Sequence, residues 1–173
     1  MTYRSRSEKE TQKIAGDLAT KIIKSHASLK PRMASIIALE GELGAGKTTF
    51  VKGFAKALGI KAKVKSPTFT LMKEYKFPSL KRSQNTNHKT QINSKFKISN
   101  SKHLVHLDCY RVRDHRDLAT LDLKTIFNES HNIVLIEWSE RISKILPKKL
   151  IRVHIDHIDE NKRKITIYNY SNF

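Results

Sequence analysis

The chain has 173 residues, 38% of them hydrophobic and 29% charged, which suits a soluble globular protein of one domain, 1–173, with its own core. Its 34 Lys and Arg against 16 Asp and Glu leave a formal charge of +18, a field that favours polyanions or that reflects a generally lysine-rich proteome. One cysteine, Cys109, excludes an internal disulfide, and no apolar run is long enough for a signal peptide or a membrane span, so a reducing cytoplasm is the expected compartment.

Along the chain, "SEKETQKIAGDLATKIIK" (7–24) opens with Ser7 and Glu10 at capping-box spacing. Ile14, Leu18 and Ile22 then recur every four residues, which predicts an amphipathic helix. Pro31 breaks the chain, and "ASIIALE" reads as a buried strand bounded by Gly41. From Thr48 a second helix is expected, with Phe50, Val51, Phe54, Ala55 and Leu58 on one face and Gly59 at its stop. "SPTFTLMKEYKF" (66–77) begins as a loop and runs into a strand with Phe69, Leu71 and Tyr75 on one side. Residues 78–102 carry six Lys or Arg, no acid and many Ser, Asn, Thr and Gln, the composition of a mobile basic insertion. "LVHLD" (104–108) and "NIVLIEW" (132–138) read as buried strands, and 150–170 as two alternating strands around an Asp-Glu-Asn-Lys turn. Strands alternating with helices predict an α/β three-layer sandwich of the P-loop NTPase kind, with a mostly parallel central sheet extended by a C-terminal β-hairpin.

Chemistry concentrates at "GELGAGKT", where Gly41, Gly46, Lys47 and Thr48 satisfy the G-x-x-x-x-G-K-[ST] pattern. Glycines let successive N–H groups face one phosphate, and the following helix presents its positive end to the same anion. Glu42, Gly44, Ala45, Gly46, Lys47, Thr48 and Thr49 are therefore the expected nucleotide-binding set, with Lys47 on the β- and γ-phosphates and the Thr48 hydroxyl on Mg²⁺. A GTPase would carry [NT]-K-x-D and D-x-x-G; "NKRK" at 161 lacks the aspartate and "DCYR" at 108 lacks the glycine, which favours ATP.

Such a site needs a second acid near Thr48 and often another to orient water, and ligand sites of parallel sheets lie beyond the strands' C-terminal ends. Asp108 and Glu137 both end apolar strands, and the sequence leaves open which of them touches the metal. His106 shares a strand face with Asp108 and is read as a core residue. Pro67 forces Ser66 into extended backbone, and Thr68 and Thr70 offer hydroxyls that could sense a γ-phosphate, a switch-like reading beside that of an ordinary turn.

"GELGAGKTTF", "VKSPTFTL", "HLDCYR" and "IEWSER", in this order, together with the opening helix, resemble the TsaE (YjeE) family over nearly the whole chain outside 78–102. The resemblance implies a small ATPase needed for the threonylcarbamoyl modification of adenosine beside the tRNA anticodon. It also implies partners, TsaD and TsaB, with tRNA met directly or through that complex. No residue stands out as an arginine finger, so weak activity is expected of the chain alone, as a monomer. By motif, Glu137 resembles the Mg²⁺-associated acid and Asp108 an acid needed for hydrolysis through the water or the outer metal shell. Thr68 falls in the switch segment, Trp138 near the nucleotide or partner face, and Thr11 near the base or ribose. Cys109 and Ser139 depart from the commoner residues, and Arg111 and Arg141 are the candidates for an arginine finger in cis. The basic insertion either reaches toward tRNA or is a tolerated loop. The rival readings are a P-loop nucleotide or small-molecule kinase, and a basic RNA-binding protein without catalysis.

Overall fold

The computed structural model describes residues 1–29, 32–78 and 102–169. Pro31 and the interior of the basic insertion lie outside the described residues. Strands β1 (Thr2–Ser5), β2 (Ser35–Glu40), β3 (Met72–Phe77), β4 (Lys102–Asp108), β5 (Asn132–Glu137), β6 (Ile151–His157) and β7 (Arg163–Asn169) form one sheet in the order β1-β7-β6-β2-β5-β4-β3. Helices α1 (Glu8–Leu29), α2 (Lys47–Ala57) and α3 (Leu123–Asn128) are joined by 3-10 segments at His115–Leu118 and Ser139–Ile145.

Alternation along the central strands builds two cores. In β2, Ile37 and Leu39 face one side, and in β5, Ile133 and Leu135 do the same; with Leu104 and Val153 they pack against Phe50, Phe54, Leu18 and Ile22 of α1 and α2. Ile36, Ala38, Val134 and Ile136 face the other side, where Val105 and Leu107 meet Leu118, Leu123, Phe127 and Ile142. Burial on both faces explains why these strands read as continuous apolar runs. In β6 only one side is covered: Ile151, Val153 and Ile155 are buried, while Arg152, His154 and Asp156 are half-buried.

The sheet is mixed, which corrects the mostly parallel arrangement expected from the sequence. Pairs β2/β5, β2/β6 and β4/β5 are parallel, whereas β1/β7, β3/β4 and β6/β7 are antiparallel. One antiparallel pair is joined by a short turn, and the other two come from the marginal strands β1 and β3, whose direction apolar content does not reveal. A parallel pair needs a crossover of a dozen or more residues, and the stretches leading from β4 to β5 and from β5 to β6 contain one. Residues 158–162 between β6 and β7 are too few for one, so β7 turns back antiparallel, and β1 pairs with it at the sheet margin.

Other expectations shift locally. Helix α1 does begin on the Ser7 cap, whose Oγ accepts from Glu10 N–H at 3.2 Å. The strand after Pro67 starts only at Met72: Phe69 lies in a turn and is 84% exposed, and Leu71 takes a left-handed φ of 60°. Neither therefore shares a buried strand face with Tyr75. Trp138 likewise leaves β5, turning left-handed at φ 58°. Gly53 sits where α1 and α2 cross, and a Cβ there would lie 2.4 Å from the Gln12 backbone.

Candidate functional site

Strand β2 delivers the chain into the loop 41–46, and α2 leaves it. Gly41 at φ 136° passes so close to Ile155 that an added Cβ would stand 2.3 Å from its carbonyl oxygen. Gly46 caps α2 with a φ of 104° and supplies no side chain, so the first-turn N–H groups keep no side-chain acceptor. A glycine-curled helix start of this kind, uncapped, favours anions through its own partial charge. The loop closes on itself through Ala45 N–H to Glu42 O at 3.1 Å.

Lys47 is only 4% exposed, and its ammonium donates to Gly41 O at 2.5 Å and Glu42 O at 2.9 Å. The indole of Trp138 covers it, with Nζ 3.6 Å from a ring centroid. Burial pushes its pKa below the usual lysine range, and the carboxylates of Glu137, Glu140, Asp108 and Glu42 oppose that shift. Burial also raises the Glu140 carboxyl.

Parallel register sets Asp108 of β4 directly beside Glu137 of β5, at the C-terminal ends of adjacent strands. Both carboxylates are buried, and each has a distinct set of donors. Glu137 accepts from the Thr48 hydroxyl, at 2.9 Å to Oε2 and 3.1 Å to Oε1, and His106 Nε2 bonds Oε1 at 2.8 Å. A carboxylate only accepts, so Nε2 carries the proton of that bond. Asp108 Oδ2 accepts from the hydroxyls of Ser66 and Thr68, the latter at 2.6 Å, and Oδ1 from Tyr110 N–H at 3.0 Å. The segment after Pro67 is thereby pinned to one of the two strand-end acids. Tyr110 packs against Trp138 with ring centroids 5.1 Å apart and ring planes tilted by 48°.

Lys47, Thr48, Glu137, Asp108, Thr68 and Trp138 thus converge on one end of the sheet around the loop that holds Glu42, Gly44, Ala45 and Gly46. Thr49 follows in the first turn of α2. Thr11 is buried with its hydroxyl 2.8 Å from Ser5 Oγ, and its link to a nucleotide rests on the resemblance alone. Of the two finger candidates, Arg111 lies 4.2 Å over the Phe69 ring, and Arg141 donates to Val112 O at 3.2 Å with its guanidinium 5.9 Å from the Tyr110 ring and 5.6 Å from that of Trp138.

Three participants were not legible as such. In the sequence Ser66 stands out only for its backbone, although a hydroxyl two residues from Thr68 is the available signal. His106 is a core residue as expected, fully buried, yet it is also the second partner of Glu137. Arg163, which the sequence shows only inside "NKRK" just after the turn, reaches Ala45 O at 2.9 Å from 118 residues away. No local pattern announces such a contact.

Among the described residues no group of three His, Cys, Asp or Glu side chains is arranged to hold a metal by itself. No helix among them is long and apolar enough to cross a membrane.

A family model described as "Threonylcarbamoyl adenosine biosynthesis protein TsaE" matches residues 5–165. The Aquifex aeolicus (strain VF5) protein named tRNA threonylcarbamoyladenosine biosynthesis protein TsaE is 37% identical over 164 residues, which is 94% of this chain and 91% of that one. Its namesake from Bacillus subtilis (strain 168) is 33% identical over 147 residues, covering 85% and 77%. Among solved structures, "Crystal structure of Bacillus subtilus YdiB" superposes with a TM-score of 0.67 at 28% identity, over 99% of this chain and 86% of that one. A match of this extent, on a chain that gathers its glycine loop and both strand-end acids at one sheet end, means that the protein belongs to the TsaE family.

Proposed function

We propose that this chain is an ATP-binding, ATP-hydrolysing subunit serving tRNA threonylcarbamoyladenosine biosynthesis. In this reading it is one P-loop NTPase-like domain of the cytoplasm, monomeric alone and active beside TsaD and TsaB, through which it meets tRNA. The observation that carries the reading is the contact of Thr48 with Glu137: the first-turn hydroxyl of the glycine-loop helix and a buried strand-end carboxylate share one hydrogen bond.

Their chemistry fits Mg²⁺, a hard cation that takes oxygen ligands, keeps several waters and binds through one or two protein groups plus substrate phosphates. Thr48 and Glu137 would hold it, with Asp108 in its outer shell; when bound, it neutralises phosphate charge. The chain's own residues do the rest. Uncapped N–H groups of the loop and of α2 cradle the phosphates, while Lys47 exchanges its carbonyl partners for phosphate oxygens. Glu42, Gly44, Ala45, Gly46 and Thr49 line that cradle, and Trp138 packs beside it. Ser66 and Thr68 turn from Asp108 toward the γ-phosphate, freeing Oδ2 to orient the attacking water. The water oxygen bonds to the γ-phosphorus as the bridging P–O bond breaks, yielding ADP and phosphate.

Phosphate release by the purified protein, alone and with TsaD–TsaB, beside Lys47→Ala and Glu137→Ala, tests this. The expected result is slow hydrolysis that the partners accelerate and either substitution abolishes. Indifference to the partners, with phosphate passed to an added nucleoside, would replace this reading with a kinase.

A further inference from the structure

We propose that Arg163 is a positioning residue of the glycine loop, holding its peptides in the orientation that presents Gly46 N–H to a phosphate; this rests on the nucleotide-binding reading above. Arg163 is the first residue of β7, and pairing with both Ser5 of β1 and His157 of β6 fixes its backbone. Its guanidinium is shared between two loops that are distant in sequence. Nη1 donates to Asp159 O at 2.8 Å, Lys162 O at 3.0 Å and Glu160 O at 3.3 Å, all in the β6–β7 turn. Nε donates to Ala45 O at 2.9 Å and Nη2 to Gly44 O at 3.5 Å.

The consequence follows from peptide geometry. In a planar trans peptide the carbonyl and the next N–H point in opposite directions. Turning the Ala45 carbonyl outward onto Arg163 therefore turns Gly46 N–H the other way, toward the cradle. A glycine at φ 104° has little preference of its own to keep it there. An arginine suits the task because its planar fork can engage several carbonyls at fixed angles, which a lysine ammonium cannot do.

The test compares Arg163→Met and Arg163→Lys with the parent in affinity for a non-hydrolysable ATP analogue, read by fluorescence of Trp138, the sole tryptophan. Thermal melting and the split between kcat and KM are measured alongside. Arg163→Met is expected to bind about tenfold more weakly, the loss of roughly one net hydrogen bond's worth of preorganisation, with KM carrying most of the change. Arg163→Lys should fall clearly below the parent as well, because it keeps the charge and loses the fork. Parental affinity in Arg163→Lys would overturn the proposal, since charge alone would then suffice, and so would parental affinity in Arg163→Met. Should Arg163→Met fail to fold, Arg163→Lys decides by itself. A parent chain that binds no nucleotide, in contrast, would overturn the ATP reading on which this one stands.

Discussion

Replacing His106 with leucine isolates the energetics of the strand-end acids. His106 and Glu137 are buried to 0% and 3% exposure and meet at 2.8 Å, so removing the imidazole leaves Glu137 in the protein interior with the Thr48 hydroxyl as its remaining hydrogen-bond donor and Lys47 nearby. Leaving such a buried acceptor without its donor costs about 2–3 kcal/mol, whereas removing both partners in favour of apolar groups is close to neutral. Against a total stability of about 5–15 kcal/mol, the single substitution is severe. At about 2–4 °C per kcal/mol for a chain of this size, melting should fall by roughly 4–12 °C. The double substitution His106→Leu with Glu137→Leu should recover most of that loss. Circular dichroism melts of the parent, both singles and the double close the cycle. Losses that simply add in the double variant, or a His106→Leu melt within about 1 kcal/mol of the parent, would refute the pairing as the source of the energy.

Three further outcomes follow from local geometry and charge. Gly53→Ala should destabilise by about 1–3 kcal/mol in denaturant titration, because backbone of Gln12 at 2.4 Å cannot give way and overrides the ~1 kcal/mol helix-propensity gain. Burial, with smaller contributions from Lys102 and His131, holds the His26 pKa at about 4, below the 6.5 of an unfolded histidine. The unfolded chain therefore binds the extra proton between those values, and stability should fall as pH drops from about 6.5 to about 4. Allowing for solvent screening, the loss is about 2 kcal/mol, and His26→Gln should flatten that part of the stability–pH curve. Burial also pushes the Cys109 thiol up to about 12, so it should resist a thiol reagent at pH 8 until denaturant exposes it; fast labelling of native protein would contradict its packing.

Local rules reached far along this chain. The apolar runs of β2, β4 and β5, the face of α2 and the cap at Ser7 follow from side-chain period and hydrogen-bond chemistry, and each is found where those rules put it. They reached less far where a segment's state depends on what covers it. Phe69 and Leu71 alternate as a strand would, yet Ser66 and Thr68 are held by Asp108, and the strand waits until β4 supplies a partner at Met72. Strand direction was not legible for a similar reason: apolar content marks a strand as buried without saying which way it runs, and the marginal strands β1 and β3 join antiparallel. The stretch 78–102, for which the sequence suggested a basic insertion, lies outside the described residues but for its ends.

By itself the sequence determined the chemistry on offer, because a glycine-curled loop with Lys47 and Thr48, and acids at the ends of apolar strands, are properties of residue type and spacing. Tertiary structure alone decided which groups share that chemistry. The register of β4 on β5 sets Asp108 beside Glu137, His106 reaches Glu137 across the same pair of strands, and β7 carries Arg163 to the loop. Hydrogen bonds between residues 31 to 118 positions apart leave no periodicity to read, since they exist only once the sheet order brings their strands together.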